Sequence, residues 1–415
     1  MLNKIIQKFS KTATEKAIEH ESKFIARNYH PLPVVLNKGE GVYLWDHEGK
    51  KYLDMMSAYS AVSLGHSHPR IVKRLTEQAH TLAMCSRAYH TDTLGPFMEK
   101  LVELTGLDMA LPMNTGAEAV ETAVKAARLW GYEVKKIPQD QAEIIVAEGN
   151  FHGRTTTIIS FSTEADYRKN FGPFTPGFKP VPFDDIRAIE AAITSNTAAI
   201  IIEPIQGEAG IKVPREGFLQ ELRALCTAKN VLFILDEVQS GLGRTGRMFA
   251  YQHENVLPDV VILGKALGGG LLPVSAIVGK KEVMGLFKPG SHGSTFGGNP
   301  LAAAVGLEAL KVLEEEGMVQ NSATLGKYMI EQLRGINSPL ITGVRGRGLW
   351  IGVEFDPAKV SARTVCEKLM EKGILSKDTH QTVVRFAPPL TIGREDIDWT
   401  LEQLKAVLRE LEEKK

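Results

Sequence analysis

The sequence predicts an α/β protein with a large domain, built on a mostly parallel sheet covered by helices, and a smaller α+β domain at the C-terminus. Short apolar runs rich in β-branched residues alternate with helical patterns through the middle of the chain, which is typical of a parallel sheet with crossover helices. From about Asn299 a long helical stretch and shorter strand-like runs replace this pattern. We therefore expect an N-terminal segment (1–50) that packs on the small domain, a large domain (51–300) and the small domain (301–415).

The N-terminal segment is predicted to form an exposed helix followed by a hairpin. Its Lys and Arg residues leave a transit peptide as an alternative, but Glu15, Glu19 and Glu21 favour a solvated helix because transit peptides are poor in acidic residues. The run VYLWDHEGKKYLD (42–54) is typical of two strands joined by a turn.

Six apolar runs are predicted to be strands of the large sheet. Several lack polar alternation, as expected of strands that are buried on both faces. The runs are EIIVAE (143–148), TTIISF (156–161), AAIIIEP (198–204), VLFILDE (231–237), DVVILGK (259–265) and VSAIVG (274–279).

The C-terminal region is predicted to contain two long helices that enclose short strands. LAAAVGLEALKVLEEE (301–316) and EDIDWTLEQLKAVLRELEEKK (395–415) are the helical stretches. GVRGRGLWIGVEF (343–355) and TVVRFAPPL (382–390) are the strand-like runs between them.

Composition and charge exclude several classes of protein. The 415 residues are 43% hydrophobic, and 49 Lys and Arg balance 49 Asp and Glu. No basic field attracts nucleic acid or an anionic membrane, and no apolar run reaches the roughly 18 residues of a membrane span. We therefore expect small-molecule substrates or further copies of the chain as partners.

Cysteine and histidine spacing predicts neither a metal site nor a disulfide framework. Cys85, Cys226 and Cys366 are far apart in the sequence, which fits a reducing compartment, and we expect the cytoplasm. His66 and His68 in GHSHP form no convincing ligand set, so structural roles are expected for both.

The run GLGRTG (241–246) matches a dinucleotide-binding fingerprint only superficially. Such a fingerprint needs a helix that opens at the glycines and an acidic residue at the end of the next strand. Asp259 instead begins the next strand, and Arg244 and Arg247 crowd the loop.

Asp236 and Lys265 end two consecutive predicted strands. Both side chains are therefore expected at the carboxyl edge of the sheet, where open α/β folds bind their ligands. Taken alone, each has an ordinary interpretation as a strand-end cap or a solvated lysine. Lys265 also precedes the glycines Gly268, Gly269 and Gly270, which give little solvation and let a planar ligand approach the backbone. A lysine in such surroundings loses its proton more readily and can attack an aldehyde.

These segments resemble the class III, fold-type I family of pyridoxal-phosphate-dependent aminotransferases over nearly the whole chain. By that resemblance the large domain binds the cofactor pyridoxal 5'-phosphate, Lys265 holds it covalently and moves the substrate proton, and Asp236 pairs with the protonated ring nitrogen.

Further cofactor contacts are implied by the same resemblance. The turn before Gly116 and Ala117 opens a helix that suits a phosphate, although an ordinary capped helix is the alternative. Phe151 stacks on the ring, and Gln239 contacts the phenolic oxygen. His152 is expected to be a packed or hydrogen-bonded histidine beside the cofactor; a proton carrier is the alternative, but Lys265 already fills that role. Thr295 reaches the phosphate of the neighbouring subunit, which implies a homodimer with composite sites.

The substrate-binding residues resemble those of family members that act on ornithine. Arg154 would bind the α-carboxylate, Tyr29 the α-amino group, and Tyr59 would border the chain of the substrate. Glu208 would cover Arg385 with ornithine bound and release it for 2-oxoglutarate.

The implied reaction transfers the δ-amino group of L-ornithine to 2-oxoglutarate in a ping-pong mechanism through the pyridoxamine form of the cofactor. It yields glutamate 5-semialdehyde, which cyclises to pyrroline-5-carboxylate, and L-glutamate. The alternatives are a 4-aminobutyrate or acetylornithine aminotransferase, or an aminomutase on the same fold.

Overall fold

The structure is a computed structural model that describes residues 11–413. It begins with an exposed helix, Ala13–Phe24, that buries no side chain, as the acidic residues of this segment predict. Residues 1–10, the start of the predicted N-terminal segment, lie outside the described part of the chain. The predicted hairpin follows, and the strands here are β1 (Leu36–Glu40), β2 (Tyr43–Asp46) and β3 (Lys51–Asp54).

A seven-stranded sheet forms the centre of the molecule, in the order β4-β10-β9-β8-β7-β5-β6. The strands from β9 to β6 run parallel, whereas β10 is antiparallel to both β9 and β4. The seven strands are β4 (Met109–Met113), β5 (Glu143–Ala147), β6 (Phe178–Val181), β7 (Thr197–Ile202), β8 (Leu232–Asp236), β9 (Val260–Leu263) and β10 (Ser275–Gly279).

Both faces of this sheet are covered by apolar side chains. Along β7, Ile200 and Ile202 pack into one core cluster while Ala199 and Ile201 pack into another on the opposite face. All six residues of β7 are buried, which explains why its sequence lacks polar alternation.

One of the predicted strands is wrong: TTIISF (156–161) contains the short helix Thr156–Ser160. The side chain of Thr155 accepts a hydrogen bond from the Ile158 amide and caps the helix N-terminus. Ile158 and Phe161 belong to the apolar cluster between the sheet and the helix Gly116–Glu133, so they are buried without being part of a strand.

The C-terminal part contains a four-stranded antiparallel sheet in the order β11-β12-β15-β14. The strand β13 instead pairs in parallel with β3 of the N-terminal hairpin, which joins the two ends of the described chain. The domain bounds stay a prediction. The strands are β11 (Ile341–Gly346), β12 (Ile351–Phe355), β13 (Ile374–Leu375), β14 (Lys377–Thr379) and β15 (Val383–Phe386).

Helices cover the sheets and connect their strands. Within residues 11–413, no helix combines the length and apolar character needed to span a membrane. After Ala13–Phe24, the α-helices with regular backbone angles are Pro69–Thr81, Leu94–Thr105, Gly116–Glu133, Thr156–Ser160, Ala165–Arg168, Ile186–Ala192, Phe218–Lys229, Lys281–Met284, Pro300–Glu315, Met318–Arg334, Ala362–Glu371 and Arg394–Glu412. The 3₁₀-helices are Ala250–His253 and Lys265–Gly268.

One buried guanidinium connects three distant parts of the chain. Arg244 is fully buried, and its Nη1 donates to the carbonyl oxygens of Leu349 and Pro388 at 2.9 and 2.6 Å. Its Nη2 donates to the hydroxyl oxygens of Ser57 and Ser63 at 3.1 and 2.8 Å. The loop after β8 is thereby linked to the turn after β3 and to the C-terminal part.

Candidate active site

The two strand-end residues singled out in the sequence meet at the carboxyl edge of the central sheet. β8 and β9 are neighbouring parallel strands, and Asp236 is in register with Ile262. Asp236 and Lys265 line one cavity of about 210 Å³, which we call the inner cavity. Its other lining residues are Gly116, Ala117, Phe151, His152, Gly153, Glu203, Ile205, Val238, Gln239 and Ser240.

Asp236 is buried and held in one orientation. Its Oδ1 accepts the Val238 amide at 3.0 Å, and its Oδ2 lies 2.6 Å from Nδ1 of His152. Burial lowers the pKa of His152, but the hydrogen bond and charge of Asp236 outweigh it, and the pKa lies above its usual value. The Nε2 atom of His152 is buried and has no hydrogen-bond partner among the described residues. His152 is thus a hydrogen-bonded neighbour of Asp236, and its expected place beside the cofactor stays a prediction.

Lys265 begins a 3₁₀ turn directly after β9 with a left-handed backbone, at φ 46°. Burial lowers the pKa of its ammonium group, and the carboxylates of Glu208 and Asp236 only partly offset this. A larger fraction of the amine is therefore neutral and nucleophilic than for a solvated lysine.

The helix Gly116–Glu133 directs its N-terminus into the inner cavity. Thr115 caps the helix, accepting the Glu118 amide at 3.2 Å, and the Glu118 carboxylate accepts the Thr115 amide at 2.7 Å. The amides of Gly116 and Ala117 belong to the first turn, which has no intrahelical acceptors. A Cβ at Gly116 would lie 3.1 Å from Val238, so glycine allows the close approach of the loop after β8.

Glu203 connects two loops beside the inner cavity. Its carboxylate accepts the Phe151 amide at 3.1 Å and the Gly207 amide at 3.4 Å. Burial raises the pKa of Glu203 to about 7, against the lowering effect of His152. A Cβ at Gly207 would lie 2.3 Å from Oε1 of Gln239, so this glycine makes room for the Gln239 amide.

The residues around the inner cavity fit pyridoxal phosphate. They combine an amine of lowered pKa at Lys265, a fixed carboxylate at Asp236, an aromatic ring at Phe151 and helix-terminal amides at Gly116 and Ala117. These are the groups needed for an aldehyde, a ring nitrogen, a planar ring and a phosphate.

A second and larger cavity, of about 860 Å³, contains all five residues predicted to bind the substrate. We call it the outer cavity. These five residues are Tyr29, Tyr59, Arg154, Glu208 and Arg385.

Glu208 and Arg385 form an ion pair in the outer cavity. Nη1 of Arg385 lies 2.6 Å from Oε1 of Glu208, and its guanidinium is 5.0 Å from the centre of the Tyr59 ring. Burial raises the pKa of Glu208, but nearby cations, Arg385 first, outweigh it, and the pKa lies below its usual value. Arg385 comes from β15, and Glu208 from the loop after β7.

Arg154 lines the outer cavity and stacks on aromatic rings. Its guanidinium is 4.3 Å from the centre of the Tyr167 ring and 5.8 Å from that of Phe151, which lines the inner cavity. Two residues of the site were not identified from the sequence: Tyr167, which stacks on Arg154, and Val238, which lines the inner cavity. No sequence motif marks either of them, because both come to the site only through the packing of the folded chain. Tyr29 is largely exposed at the rim.

The structure leaves Thr295 outside both cavities of its own chain: it is exposed in the loop before the helix Pro300–Glu315. His66 and His68 do not come together, since His66 bonds to Asp54 at 2.7 Å and His68 to Glu316 at 3.1 Å.

The chain is similar to known aminotransferases over almost its entire length. It is 58% identical over 395 residues to the ornithine aminotransferase of Brevibacillus brevis, covering 95% of this chain and 98% of the relative. The ornithine aminotransferase of Bacillus subtilis is 56% identical over 396 residues, with 95% and 98% of the two chains covered.

Among solved structures, the chain is likewise similar to aminotransferases. The ornithine aminotransferase of Toxoplasma gondii has a TM-score of 0.96 and 44% identity, covering 99% of this chain and 98% of that one, and another structure of this enzyme has partial occupancy of pyridoxal phosphate at the active site. An acetylornithine aminotransferase from Elizabethkingia anophelis has a TM-score of 0.88 and 47% identity, covering 96% and 100%. The sequence profile of the family described as Aminotransferase class-III matches residues 24–408. The chain belongs to the class III aminotransferases, which use pyridoxal phosphate.

Proposed function

We propose that this chain is an L-ornithine:2-oxoglutarate δ-aminotransferase, which forms glutamate 5-semialdehyde and L-glutamate. The observation that carries the proposal is the outer cavity, in which Arg154 and the Glu208–Arg385 pair offer two separate sites for a carboxylate. Relatives that are named ornithine aminotransferases, at 56 and 58% identity, support it.

Binding at the α end of ornithine would direct the δ end inward. The exposed guanidinium of Arg154 can take the α-carboxylate through two hydrogen bonds, while Tyr29 accepts one from the α-amino group and Tyr59 borders the chain. Glu208 lowers the effective charge of Arg385, so ornithine is not held in the reverse orientation. The δ-amine then lies towards Lys265. The outer and inner cavities are close enough for the charge of Glu208 to raise the pKa of Lys265.

The inner cavity supplies the groups that hold the cofactor and move protons. When bound, pyridoxal phosphate supplies an aldehyde that takes up the amino group and a ring that withdraws electrons. We assign its phosphate to the amides of Gly116 and Ala117, and its ring face to Phe151. Asp236, oriented by His152, favours a protonated ring nitrogen, and Gln239 faces the phenolic oxygen.

Lys265 carries the proton between the substrate carbon and the cofactor. Its amine must be neutral to accept that proton, and its lowered pKa favours this state. In the second half-reaction Glu208 moves away from Arg385, which then binds the α-carboxylate of 2-oxoglutarate. One cavity thereby serves two substrates in turn, as a ping-pong mechanism requires.

The test compares amino donors with the purified holoenzyme and 2-oxoglutarate as acceptor. L-Ornithine is expected to react far faster than N-acetylornithine or 4-aminobutyrate, because only ornithine offers both a free α-amine and an α-carboxylate. N-Acetylornithine is the decisive comparison, since an acetylornithine aminotransferase is 47% identical. Equal or faster turnover of either competitor would contradict the proposal.

Two variants connect that preference to the outer cavity. Tyr29→Phe and Arg154→Lys are expected to reduce kcat/KM for ornithine at least tenfold more than for a simple monoamine, because a hydrogen-bonding partner of the α groups is lost. Equal losses for both donors would show that these residues do not recognise the α end.

We also propose a homodimer with composite sites, in which Thr295 contacts the phosphate bound by the partner subunit. The exposed position of Thr295, outside the cavities of its own chain, supports this. Co-expressed Lys265→Ala and Thr295→Ala subunits test it. If Thr295 acts across the interface, each mixed dimer regains one site of normal cofactor affinity; if it acts within its own chain, no intact site appears.

A cytoplasmic location is the last part of this proposal. The three cysteines are free thiols, and Cys226 and Cys366 are buried, which is compatible with a reducing compartment. Fractionation of cells that express the protein tests this, and recovery outside the cytoplasmic fraction would contradict it.

A further inference from the structure

A third cavity, of about 710 Å³, lies apart from the proposed reaction and is surrounded by cationic side chains. It is formed by the loop after β8, the helix Met318–Arg334 and the turn after β11. We call it the basic cavity; its Lys, Arg and Glu residues are Arg247, Lys327, Arg334, Arg347 and Glu331. It shares no lining residue with the inner or outer cavity.

The positive charge of the basic cavity is not neutralised by the protein. None of its four cationic side chains forms an ion pair or a hydrogen bond with a residue of the described range 11–413. By contrast, Arg215 and Arg223 elsewhere on the surface have carboxylate partners at 2.6 and 2.9 Å. With four cations and only the carboxylate of Glu331, the lining of the cavity carries excess positive charge, which a bound anion would neutralise.

The positive charge of the cavity also lowers the pKa of a histidine in its wall, His253. The pKa of His253 is lowered to about 4, mainly by burial and in part by the charges of Arg347 and Arg247. Its Nε2 lies 3.1 Å from the carbonyl oxygen of Thr245. The guanidinium groups of two different loops therefore act on the same part of the wall.

The backbone that carries the two arginines is fixed by close glycine contacts. Gly246 has φ 85°, and a Cβ there would lie 2.8 Å from Cα of Ala323. Gly348 has φ 59°, and a Cβ there would lie 2.4 Å from the carbonyl carbon of Thr245. The glycine-rich loop GLGRTG thus packs tightly against its neighbours and holds Arg247 at the cavity rim.

We propose that the basic cavity binds a small molecule with two or more linked phosphate groups. Its volume is within the usual range of roughly 300–1,000 Å³ for small-molecule sites. Guanidinium groups bind phosphate oxygens through paired hydrogen bonds, and lysine adds a mobile point charge. Several cations around one cavity fit a polyphosphate better than a single carboxylate. Free pyrophosphate and the diphosphate of a nucleotide share this chemistry.

Calorimetric titration of the holoenzyme tests the proposal, because its cofactor occupies the other phosphate site. The probes are pyrophosphate, ADP and adenosine. Pyrophosphate and ADP are expected to bind, more tightly at low salt, and adenosine is not. Equal affinities for the first two would mean that only the phosphates are recognised, whereas tighter ADP binding would add a contact to the nucleoside. No pyrophosphate binding, or adenosine binding equal to that of ADP, would overturn the proposal.

Substitutions in the cavity lining test whether pyrophosphate binds in this cavity. Arg247→Ala combined with Lys327→Ala is expected to weaken pyrophosphate at least tenfold, and Glu331→Gln to strengthen it several-fold, a gain that misfolding cannot produce. Arg187→Ala removes one exposed cation that does not line the basic cavity and is the matched control. Unchanged affinity in the double variant and in Glu331→Gln would overturn the assignment. Because ornithine turnover without pyrophosphate should be normal in these variants, failure here is distinguishable from failure of the proposed reaction.

Discussion

Lys265 combines its chemical role with a strained backbone. A residue with a Cβ at φ 46° is in the left-handed region, which costs about 1–2 kcal/mol. Tertiary contacts offset this cost, and the left-handed conformation places the amine in the inner cavity near the end of β9. Strain of this kind is often found where a side chain must be aimed precisely.

Two substitutions at this position separate strain from chemistry. Lys265→Ala and Lys265→Gly are both expected to abolish turnover, because no amine remains to move the proton. The glycine variant should be about 1 kcal/mol more stable than the alanine variant, since glycine tolerates positive φ. Denaturant unfolding of the cofactor-free proteins measures the difference. An alanine variant of equal or greater stability would mean that the backbone is not strained here.

Glu237 makes stability depend on pH. It is 1% exposed, it accepts the Ser240 hydroxyl and the Tyr251 amide, and burial raises its pKa to about 7. Between its unfolded pKa near 4.5 and about 7, the folded protein holds a proton that the unfolded chain has lost. Its contribution to stability is therefore complete at acidic pH and is lost as the pH rises through 7.

Glu237→Gln should weaken this dependence, because the amide stays neutral. The free energy of unfolding, measured in urea from pH 5 to 8, should fall less in the variant than in the wild type, with a difference on the order of 3 kcal/mol. Glu221→Gln, in an exposed ion pair with Arg215, is the control. Parallel pH profiles for Glu237→Gln and the wild type would rule out the raised pKa.

At the scale of single elements, prolines explain why two strands of the seven-stranded sheet were not predicted from the sequence. β4 contains Pro112 and β6 contains Pro180, and both strands are edges of the seven-stranded sheet. Proline cannot donate to a sheet ladder, so it argues against a central strand but is tolerated at an edge. Position within the sheet is a tertiary property that local sequence does not carry.

The candidate site was more predictable than these edges. Asp236 and Lys265 could be placed because the ends of neighbouring parallel strands meet at one edge whatever the details of packing. Val238 and Tyr167 could not, because their approach depends on how the loop after β8 and the short helix Ala165–Arg168 pack in the folded chain. The β-branched run at Thr156 is typical of a strand, but the Thr155 cap and packing against a helix made it helical.

The loop after β7 and the strand β15 meet in the Glu208–Arg385 pair, and Glu208→Ala tests whether the pair acts as a switch. With Arg385 permanently uncovered, glutamate should react faster as a donor, while ornithine should react more slowly at its δ-amine because its α-carboxylate competes for Arg385. Single-turnover half-reactions with both donors measure this exchange of preference. A fall of both rates by the same factor would reduce Glu208 to a structural partner of Arg385.

For the molecule as a whole, the arrangement of the sheets joins regions that are far apart in sequence. β3 pairs with β13, and the outer cavity takes Tyr29 from the N-terminal segment, Arg154 from the central region and Arg385 from the C-terminal part. The proposed substrate specificity is therefore a property of the assembled chain, and no isolated segment would retain it.

The Arg244 guanidinium has a consequence for cooperativity. Because its hydrogen bonds reach the turn after β3 and the carbonyl groups of Leu349 and Pro388, none of these regions can open without leaving a charge or an acceptor unpaired in the interior. The three regions should therefore behave as one cooperative unit in native-state hydrogen exchange, with the same opening free energy.

Arg244→Met is expected to divide that unit. The loss of four buried hydrogen bonds should cost about 3–5 kcal/mol overall, and amides near Ser63 and Leu349 should then exchange through openings of lower free energy than those of β8. Arg223→Met, which removes a contact to Asp259 beside the central sheet, should lower stability without separating the regions. If exchange stayed uniform in Arg244→Met, the cohesion of this fold would come from its apolar core alone, and the buried cation would be a cost that the protein carries without any gain in cooperativity.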